Sequence, residues 1–555
     1  MEGLVSSVCI LCFTLYLTQL VDSRTADEWK SRIIYQILTD RFAPEAPIPS
    51  SNCTDLRSYC GGKFKGIKEN LDYIQSLGAN AIWISPIVEN TPLGYHGYWA
   101  KDIYRVNPEF GTEEDLVDLI RAVANHMGYN HGCFWSHECT KDQLTNFTGF
   151  SPFNQTEHYH TLCEITDWKN QNEVELCRLA KLPDLNQSNE YVRDTLKSWI
   201  KWLGDKYEFD GYRIDTAVEV DKPFWSEFQS SAGRFCMGEA NNGDDVSYLA
   251  SYQGPLNSVL NFPLFHAIVD VFCKNKSMSV LIDSLQEQRS HFSDVTILGI
   301  FVDNHDFPRF LSLTPSQTLL KNALAYVLLT EGIPIIYYGT EQSFHGVYDP
   351  YNRESLWPYY DTDNTMFKFI TTVSRWKLTS DTDFGGKNQE EIYSDDHTLV
   401  FVRGKTHEVI VAVSNLGRTV SIRFSPPYMY FSPGTNFKMR LAVPIFALLA
   451  IFGCVSSQIL GIGADILGLG SVGLNSLDFF NPIDDLTLGR APFSLKKRKE
   501  GSSKGLDSST NYNEIRKILT IISTALTIEH QIDDEPQASK SWDHVPGRSK
   551  HPLFD

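Results

Sequence analysis

Basic side chains are scarce in this sequence relative to acidic ones. Its 555 residues include 49 Lys and Arg against 68 Asp and Glu, which gives a formal net charge of −19 at pH 7. No long basic run lies in the main body of the chain, and clustered cations are what a protein needs to neutralise nucleic-acid phosphates. The composition therefore argues against a nucleic-acid partner. Because 42% of the residues are hydrophobic and 12% aromatic, it also excludes wholesale disorder.

Tryptophan and tyrosine are almost missing from the C-terminal part. Residues 439–555 contain one tryptophan, Trp542, and one tyrosine, Tyr512, although the whole chain has 11 Trp and 25 Tyr. A second signal-like segment begins at the same boundary, where Lys438 and Arg440 precede an apolar stretch and a small-residue exit. A transmembrane helix is the alternative, although an apolar run of about 15 residues is short for a bilayer. We expect residues 439–555 to be a foreign tail. They would be a separate small secreted product that a gene-model error has joined to the first 438 residues.

The N-terminus lacks a basic side chain ahead of its apolar run. Residues 4–20 are mostly apolar and end near small and polar residues, which is typical of a secretory signal peptide over residues 1–22. A membrane anchor is the alternative. We expect a secreted, extracellular protein with no stable membrane partner.

Secretion predicts glycosylation and paired cysteines. Five N-x-S/T sequons lie at Asn52, Asn146, Asn154, Asn186 and Asn275. Cysteines outside the two signal-like segments number eight, and eight allow 105 pairings. A preference for short loops suggests the pairs Cys53–Cys60, Cys133–Cys139 and Cys163–Cys177, with Cys236–Cys273 left over.

Short apolar runs typical of β-strands alternate with amphipathic helical patterns along most of the chain. The candidate strands lie at 34–38, 81–84, 209–214, 234–238, 258–262, 297–302 and 333–338. This alternation predicts a parallel α/β architecture, and seven strands are one short of an eight-stranded barrel. Residues 128–190 are instead rich in Asn, His and Cys, which indicates an inserted subdomain. Residues 390–430 indicate an antiparallel β module.

Acidic side chains follow four of the candidate strands. Asp40, Asp215 and Glu239 each come after one strand, and Asp303 and Asp306 come after another. A single Asp after a strand is usually a turn or a helix cap, but capping does not explain carboxylates at several strand ends. Polar groups at the C-terminal ends of parallel strands are typical of the active site of a barrel.

Seven short motifs, in their joint order and spacing, resemble the α-amylase family, glycoside hydrolase family 13, and most closely the secreted fungal-type α-amylases. They are YHGYW (95–99), VANHMG (123–128), LPDLN (182–186), GYRIDT (211–216), GEA (238–240), FVDNHD (301–306) and DPYNRESLW (349–357). The similarity runs from Trp29 to Gly417. It implies a (β/α)8 TIM barrel over residues 23–380, with an inserted calcium-binding subdomain at 128–190. A truncated C-terminal antiparallel β domain would follow at 381–436.

The resemblance implies retaining cleavage of α-1,4-glucosidic bonds, with Asp215 as the nucleophile, Glu239 as the general acid/base and Asp306 as the carboxylate that stabilises the transition state. A retaining site needs two carboxyls about 5–5.5 Å apart, one ionised to attack and one protonated to donate. Arg213 lies two residues before Asp215 on the same strand face, so we expect it to hold Asp215 ionised. Other substrate-binding positions of the family are matched by Tyr98, Trp99, His126, His305, Asp349 and Arg353.

The same resemblance implies calcium. Asn125, Glu175 and Asp184 match the family's ligand positions, and a backbone carbonyl is expected at Glu219. Calcium takes oxygen ligands of these types, but scattered residues would not reveal the site without the resemblance.

The chain departs from the family pattern in two places. Members usually have Lys-His three and four residues after the nucleophile, where this chain has Val218 and Glu219, so a cation is lost on the leaving-group side. The segment before VANHMG is also shorter, and Arg121 stands where the Asp of the third barrel strand belongs. We expect that strand to be missing, as from an omitted exon or an inactive splice form, which leaves two unpaired sheet edges.

The leading hypothesis is a secreted, calcium-dependent, monomeric, endo-acting α-amylase that acts on starch or glycogen by double displacement. One alternative is an α-glucosidase or maltogenic enzyme of the same clan, because loop lengths around the cleft decide between them. A second is a catalytically inactive amylase-like binding glycoprotein. The intact Asp215, Glu239 and Asp306 argue against the inactive form, and the lost strand argues for it.

Overall fold

The fold is taken from a computed structural model of the chain. It describes residues 25–45, 53–122, 145–179, 182–241, 243, 245–379, 385–386, 388–404, 409–418, 420–424 and 437–441. The predicted signal peptide 1–22, Asn125, His126, the pair Cys133–Cys139 and most of the predicted tail lie outside these residues. None of the helices in the described part combines the length and apolar character that crossing a bilayer requires.

The strands of the described part are short. They are β1 (Ile34–Gln36), β2 (Ala81–Trp83), β3 (Val88–Asn90), β4 (Ala100–Val106), β5 (Gly211–Ile214), β6 (Phe235–Gly238), β7 (Ser258–Val259), β8 (Gly299–Ile300), β9 (Ile333–Tyr337), β10 (Glu390–Ser394), β11 (Thr398–Arg403), β12 (Val409–Ser414), β13 (Val420–Phe424) and β14 (Phe437–Leu441).

Helices follow or separate most of these strands. They are α1 (Ala26–Lys30), α2 (Thr39–Phe42), α3 (Phe64–Glu69), α4 (Leu71–Ser76), α5 (Glu113–Ala122), α6 (Gln171–Leu176), α7 (Glu190–Tyr207), α8 (Lys222–Ala232), α9 (Val246–Ala250), α10 (Phe262–Ile268), α11 (Ser279–His291), α12 (Phe310–Leu313), α13 (Gln317–Leu329) and α14 (Thr365–Thr379). A π-helical turn continues α10 over Val269–Cys273, and a 3₁₀ turn, Ala217–Glu219, follows β5.

Parallel pairing joins seven of the strands in the order of a barrel. One set runs β2-β1-β9-β8 and another runs β5-β6-β7, and a parallel bridge between Leu260 and Gly299 links them. Within the described ranges, β3 and β4 pair only with each other, and no strand occupies the barrel position between β2 and β5, which is the third. The alternation of strands and helices therefore gives the (β/α)8 barrel architecture that the sequence predicts, with seven of its strands in the described residues.

Side chains alternate along the strands between two buried layers. In β6, Phe235 and Met237 join a cluster built largely from strand side chains, whereas Cys236 joins the larger cluster that packs against the helices. Ile335 and Ile336 in β9 divide in the same way. Because successive side chains of a strand point to opposite faces, a strand buried on both faces reads as a continuous apolar run.

An antiparallel β module follows the barrel, as predicted. Strands β10, β11 and β12 pair in that order, and β13 pairs with β14. Tyr326 of α13 packs edge-to-face on Phe401 of β11, with ring centroids 5.9 Å apart. Strand β14 spans residues on both sides of position 439, where the sequence places the start of the tail.

A buried ion pair also joins the barrel to this module. The Glu331 carboxylate accepts hydrogen bonds from Arg289 Nε (2.8 Å) and Nη2 (2.9 Å), and from the backbone N–H of Gln389 (3.0 Å). Only 1% of the Glu331 side chain is exposed. The pair therefore fixes the start of the module against the N-terminal end of β9.

Two of the predicted disulfides are confirmed and one is wrong. Cys53 pairs with Cys60, and Cys163 pairs with Cys177. Cys236 and Cys273 are free thiols. They were paired only by elimination, which carries no information on distance. Both are held in apolar surroundings, and burial raises the pKa of the Cys273 thiol to about 12.

Candidate active site

Three acidic side chains predicted as catalytic lie where barrel strands end. Asp215 follows β5 directly, Glu239 follows β6, and Asp306 lies in the loop after β8. The pairing of β5 with β6 places Ile214 opposite Gly238, so the two carboxyls that follow become neighbours. The backbone N–H of Glu239 donates to the Ile214 carbonyl at 2.6 Å and extends that ladder by one bond.

Arg213 connects two of these carboxyls. Its Nη2 lies 2.6 Å from Oε2 of Glu239, and its Nη1 donates to Oδ1 of Asp215. Only 3% of its side chain is exposed, and the guanidinium lies over the rings of Trp83 (5.2 Å) and Tyr98 (5.6 Å). A planar donor fork between two carboxylates is the geometry that arginine provides and lysine does not.

The pKa of Asp215 reflects two opposing effects. Burial raises the pKa of Asp215 well above its usual range; Arg213 opposes this shift, and the neighbouring Glu239 carboxyl adds to it. Arg213 thus acts in the direction of the expectation that it holds Asp215 ionised, and that expectation stays a prediction. One guanidinium serves both carboxyls, and two close carboxylates disfavour each other's ionisation.

Asp306 is held by a histidine and an arginine. Its Oδ2 lies 3.2 Å from Nε2 of His305, and its Oδ1 lies 3.3 Å from Nη2 of Arg353. Arg353 also pairs with Asp349 at 3.0 Å, and Asp349 accepts a hydrogen bond from the Tyr95 hydroxyl at 2.9 Å. The structure thus brings together three predicted substrate-binding residues around the third carboxylate.

The orientation of His305 depends on a residue that sequence reasoning missed. Gln36 in β1 places its Nε2 2.8 Å from Nδ1 of His305. With the amide as donor, Nδ1 is the acceptor and the ring hydrogen lies on Nε2, facing Asp306. Burial, with Arg353 and Arg213, lowers the pKa of His305 well below its usual range, so the ring is neutral.

Tyr98 and Trp99, the two aromatic residues predicted to bind substrate, have different surroundings. Tyr98 stacks on His305 with ring centroids 5.3 Å apart and an interplanar angle of 10°. Trp99 is buried and packs edge-on against His96 at 4.9 Å. The structure therefore places Tyr98 against Arg213 and His305, and Trp99 against His96.

Two of the predicted calcium ligands are hydrogen-bonded within the inserted subdomain or next to it. Oε1 of Glu175 accepts from Gln171 Nε2 at 2.6 Å, and the same amide donates to the Val218 carbonyl at 3.1 Å. Oδ2 of Asp184 lies 2.7 Å from Nδ1 of His160. Helix α6 therefore lies against the turn Ala217–Glu219, which follows β5.

Glu219 lies on that turn with its side chain turned inward. Its Oε2 is buried and has no hydrogen-bond partner. Burial raises the pKa of Glu219 well above its usual range, with Glu239, Asp215 and Asp184 adding to the shift. Within the residues the structure describes, no three His, Cys, Asp or Glu side chains form a cluster typical of a metal site. The donors present are nevertheless oxygen atoms, which is the ligand type that calcium prefers.

Comparisons with known proteins agree with this geometry. The family model described as "Alpha amylase, catalytic domain" matches residues 36–398. Alpha-amylase 1 of Lipomyces kononenkoae is 40% identical over 402 residues, which is 69% of this chain and 62% of that protein. Alpha-amylase 2 of Schwanniomyces occidentalis is 38% identical over 440 residues, which is 73% of this chain and 84% of that protein.

Solved structures give the same result. An alpha-amylase from Malbranchea cinnamomea is 34% identical with a TM-score of 0.70, over 76% of this chain and 96% of that one. The alpha-amylase of Geobacillus thermoleovorans, solved in complex with acarbose, is 28% identical with a TM-score of 0.64, over 75% and 95%. The chain is therefore a member of the alpha-amylase family of glycoside hydrolases.

Proposed function

We propose that the chain is a secreted, endo-acting α-amylase that hydrolyses internal α-1,4-glucosidic bonds of starch or glycogen with retention of configuration. The observation that carries the proposal is the pair Asp215 and Glu239 on one guanidinium, with Asp306 opposite. Supporting it are the alpha-amylase relatives among yeasts and fungi.

The proposed reaction has two displacements. Glu239 donates its proton to the glycosidic oxygen while a carboxylate oxygen of Asp215 attacks the anomeric carbon, so that the C–O bond breaks and a glycosyl ester forms. A water molecule then gives a proton to Glu239 and attacks the same carbon, which releases Asp215. Glu239 gives its proton to the departing glucan in the first step and takes a different proton, from water, in the second, so it is protonated again for the next cycle.

The remaining polar groups hold the sugar. His305 presents a neutral N–H toward Asp306, and Arg353 presents a cation to it. Asp306 is 39% exposed, the most of the three carboxyls, so it faces the space where a pyranose ring would lie. Its negative charge would stabilise the oxocarbenium-like transition state.

The test is hydrolysis by the full chain. An endo-acting enzyme lowers the viscosity of starch long before reducing ends accumulate, whereas an α-glucosidase or maltogenic enzyme releases glucose or maltose from the start. Asp215→Asn and Glu239→Gln should each lower kcat by about a thousandfold or more. Asp221→Asn, a matched change at the start of α8, should leave it unchanged. Binding of maltoheptaose without hydrolysis by the unaltered chain would instead support the binding glycoprotein.

Calcium is a further part of the proposal. The carboxylates of Glu175 and Asp184, the carbonyl of Glu219 and the amide oxygen of Asn125 would hold it. When bound, the ion would supply positive charge to a region where buried carboxylates crowd, and the unpartnered Oε2 of Glu219 supports that need.

Thermal unfolding tests the calcium proposal without relying on activity. The full chain should unfold at a higher temperature in calcium than in a chelator, and Glu175→Gln with Asp184→Asn should remove the difference. The exposed Glu157→Gln is the matched control and should keep it. Equal unfolding temperatures of the unaltered chain in the two conditions would contradict a calcium site.

We also propose the domain boundaries and the environment given by the sequence. These are a signal peptide at 1–22, a catalytic region at 23–380 with its insertion at 128–190, a β domain at 381–436 and a foreign tail at 439–555. Two disulfides support an extracellular environment, and we propose that the protein is a monomer. Peptide mapping of the secreted protein tests these boundaries, and a peptide that spans position 439 would contradict the separate tail.

A further inference from the structure

The loop after β9 exposes two tyrosine rings. Tyr348 is 58% exposed and Tyr351 is 51% exposed, and the adjacent Val347 is 45% exposed. The two rings meet edge-to-face with centroids 6.2 Å apart. Single exposed apolar residues are normal on a protein surface, but three within five positions form a patch that needs an explanation.

The backbone beneath these rings is fixed. The Tyr348 carbonyl accepts the N–H of Tyr351 (2.6 Å) and of Asn352 (3.2 Å). The buried Asn352 side chain donates from Nδ2 to the carbonyls of His305 (3.0 Å) and Phe307 (2.9 Å). The loop is therefore tied to the segment that carries Asp306, and the rings are exposed on a rigid support.

The patch lies on the same short segment of chain as two residues of the candidate active site. Asp349 lies between the two tyrosines in sequence, and Arg353 lies two residues after Tyr351. Arg353 contacts Asp306 at 3.3 Å, and Asp349 pairs with Arg353 at 3.0 Å. Tyr351 is therefore two residues from each member of the ion pair that reaches Asp306.

We propose that Tyr348 and Tyr351 form an outer binding surface for glucosyl units of an α-1,4-glucan, away from the bond that is cleaved. This inference rests on the proposed function. A tyrosine ring offers an apolar face for the C–H face of a pyranose and a hydroxyl for its rim, and it loses little conformational freedom on binding. Rings nearly perpendicular to each other suit a ligand whose successive sugar units are not coplanar.

Binding of maltooligosaccharides tests the proposal, measured by calorimetry on the full chain carrying Glu239→Gln so that the ligand is not cleaved. Tyr348→Ala with Tyr351→Ala should weaken the binding of maltoheptaose by about tenfold, the sum of two ring contacts. The Kd for maltotriose, which has four fewer glucosyl units to reach beyond the cleavage point, should stay within about twofold.

Two further variants separate ring contact from loop damage. Tyr348→Phe with Tyr351→Phe keeps the ring faces and should retain maltoheptaose affinity. Tyr191→Ala removes an equally exposed tyrosine, 49% exposed on α7, and should also retain it.

The outcomes are distinct from those for the reaction itself. An unchanged Kd for maltoheptaose in the alanine double variant overturns the proposal, even if the unaltered chain hydrolyses starch. An equal loss for maltotriose also overturns it, since the loop would then act through Arg353. A chain that binds as expected but does not hydrolyse starch would refute the proposed reaction and leave this surface established. Concentration-dependent dimers that the alanine variant abolishes, with unchanged sugar binding, would assign the patch to a second copy and overturn the proposal.

Discussion

Removing the cation between the two proposed catalytic carboxyls should lower the activity strongly although it leaves both carboxyls in place. Arg213→Met keeps the volume and the apolar stem but leaves Asp215 and Glu239 without a shared positive charge. The contact distance of 2.6 Å from Arg213 to Glu239 places the charge centres close together. Opposite charges about 4 Å apart in an effective dielectric constant of about 20 attract by about 4 kcal/mol.

That energy sets the expected rate. In the proposed reaction Asp215 is ionised when it attacks, and Arg213 is the group that opposes the raising of its pKa by burial. Losing about 4 kcal/mol from the transition state lowers kcat/KM by about a thousandfold. Because the pKa of Asp215 rises further, the acid limb of the pH profile should also move to higher pH. Arg213→Lys keeps the charge with one contact and should lose less activity.

The assay is kcat/KM on maltoheptaose from acidic to neutral pH, with thermal unfolding of each variant. Arg309→Met is the matched control: it removes another fully buried arginine, 3.1 Å from Glu354, without touching the catalytic carboxyls. It should lower the unfolding temperature and leave the acid limb in place. If Arg213→Met retained more than about a tenth of the activity with an unmoved limb, the shared cation would not be what sets the rate.

Three further changes test stability. Glu331→Ala removes the bidentate partner of Arg289 and should lower the free energy of unfolding in urea by about 3 kcal/mol, whereas a loss below about 1 kcal/mol would mean that solvent compensates. Cys53→Ser opens the Cys53–Cys60 loop, whose sequence separation of 7 predicts a loss of about 2.5 kcal/mol in the same assay, and no loss would contradict the entropic argument. Burial lowers the pKa of Lys377 to about 7, so between about pH 7 and pH 10 the unfolded chain binds one more proton than the folded chain. The free energy of unfolding should therefore rise with pH across that window. Lys377→Met should flatten this rise and be more stable than the unaltered chain below about pH 7, and an unchanged slope would show that Lys377 is not the group that titrates.

The sequence predicts where the candidate catalytic carboxyls lie along the strands but not their electrostatics. Residues directly after a strand, such as Asp215 and Glu239, can be placed because the strand fixes where the next side chain points. The direction of the pKa shift of Asp215 could not be predicted, since it depends on how much water the surrounding loops exclude and on one arginine serving two carboxyls. Sequence spacing contains neither quantity.

Contacts between residues that are distant in sequence could not be predicted either. Gln36 reads as one more strand residue, and nothing near it indicates that it contacts His305. The same is true of Tyr95, the first residue of the YHGYW motif. The contact of its hydroxyl with Asp349 depends on a loop far along the chain. The predicted disulfide Cys236–Cys273 is wrong because it is a pairing that no local pattern supports.

The order of the strands has a consequence for synthesis. β1 lies between β2 and β9, and Ile34 pairs with Ile335, about 300 residues later. At ordinary translation rates the ribosome takes roughly 15–60 s to make that much chain. During this interval one side of the first strand has no partner, and Gln36 has no histidine to orient. A nascent chain that stops before β9 can therefore hold the nucleophile and the acid yet leave its first strand open to the wrong neighbour, so chaperone protection of the N-terminal segment would govern the yield of native protein.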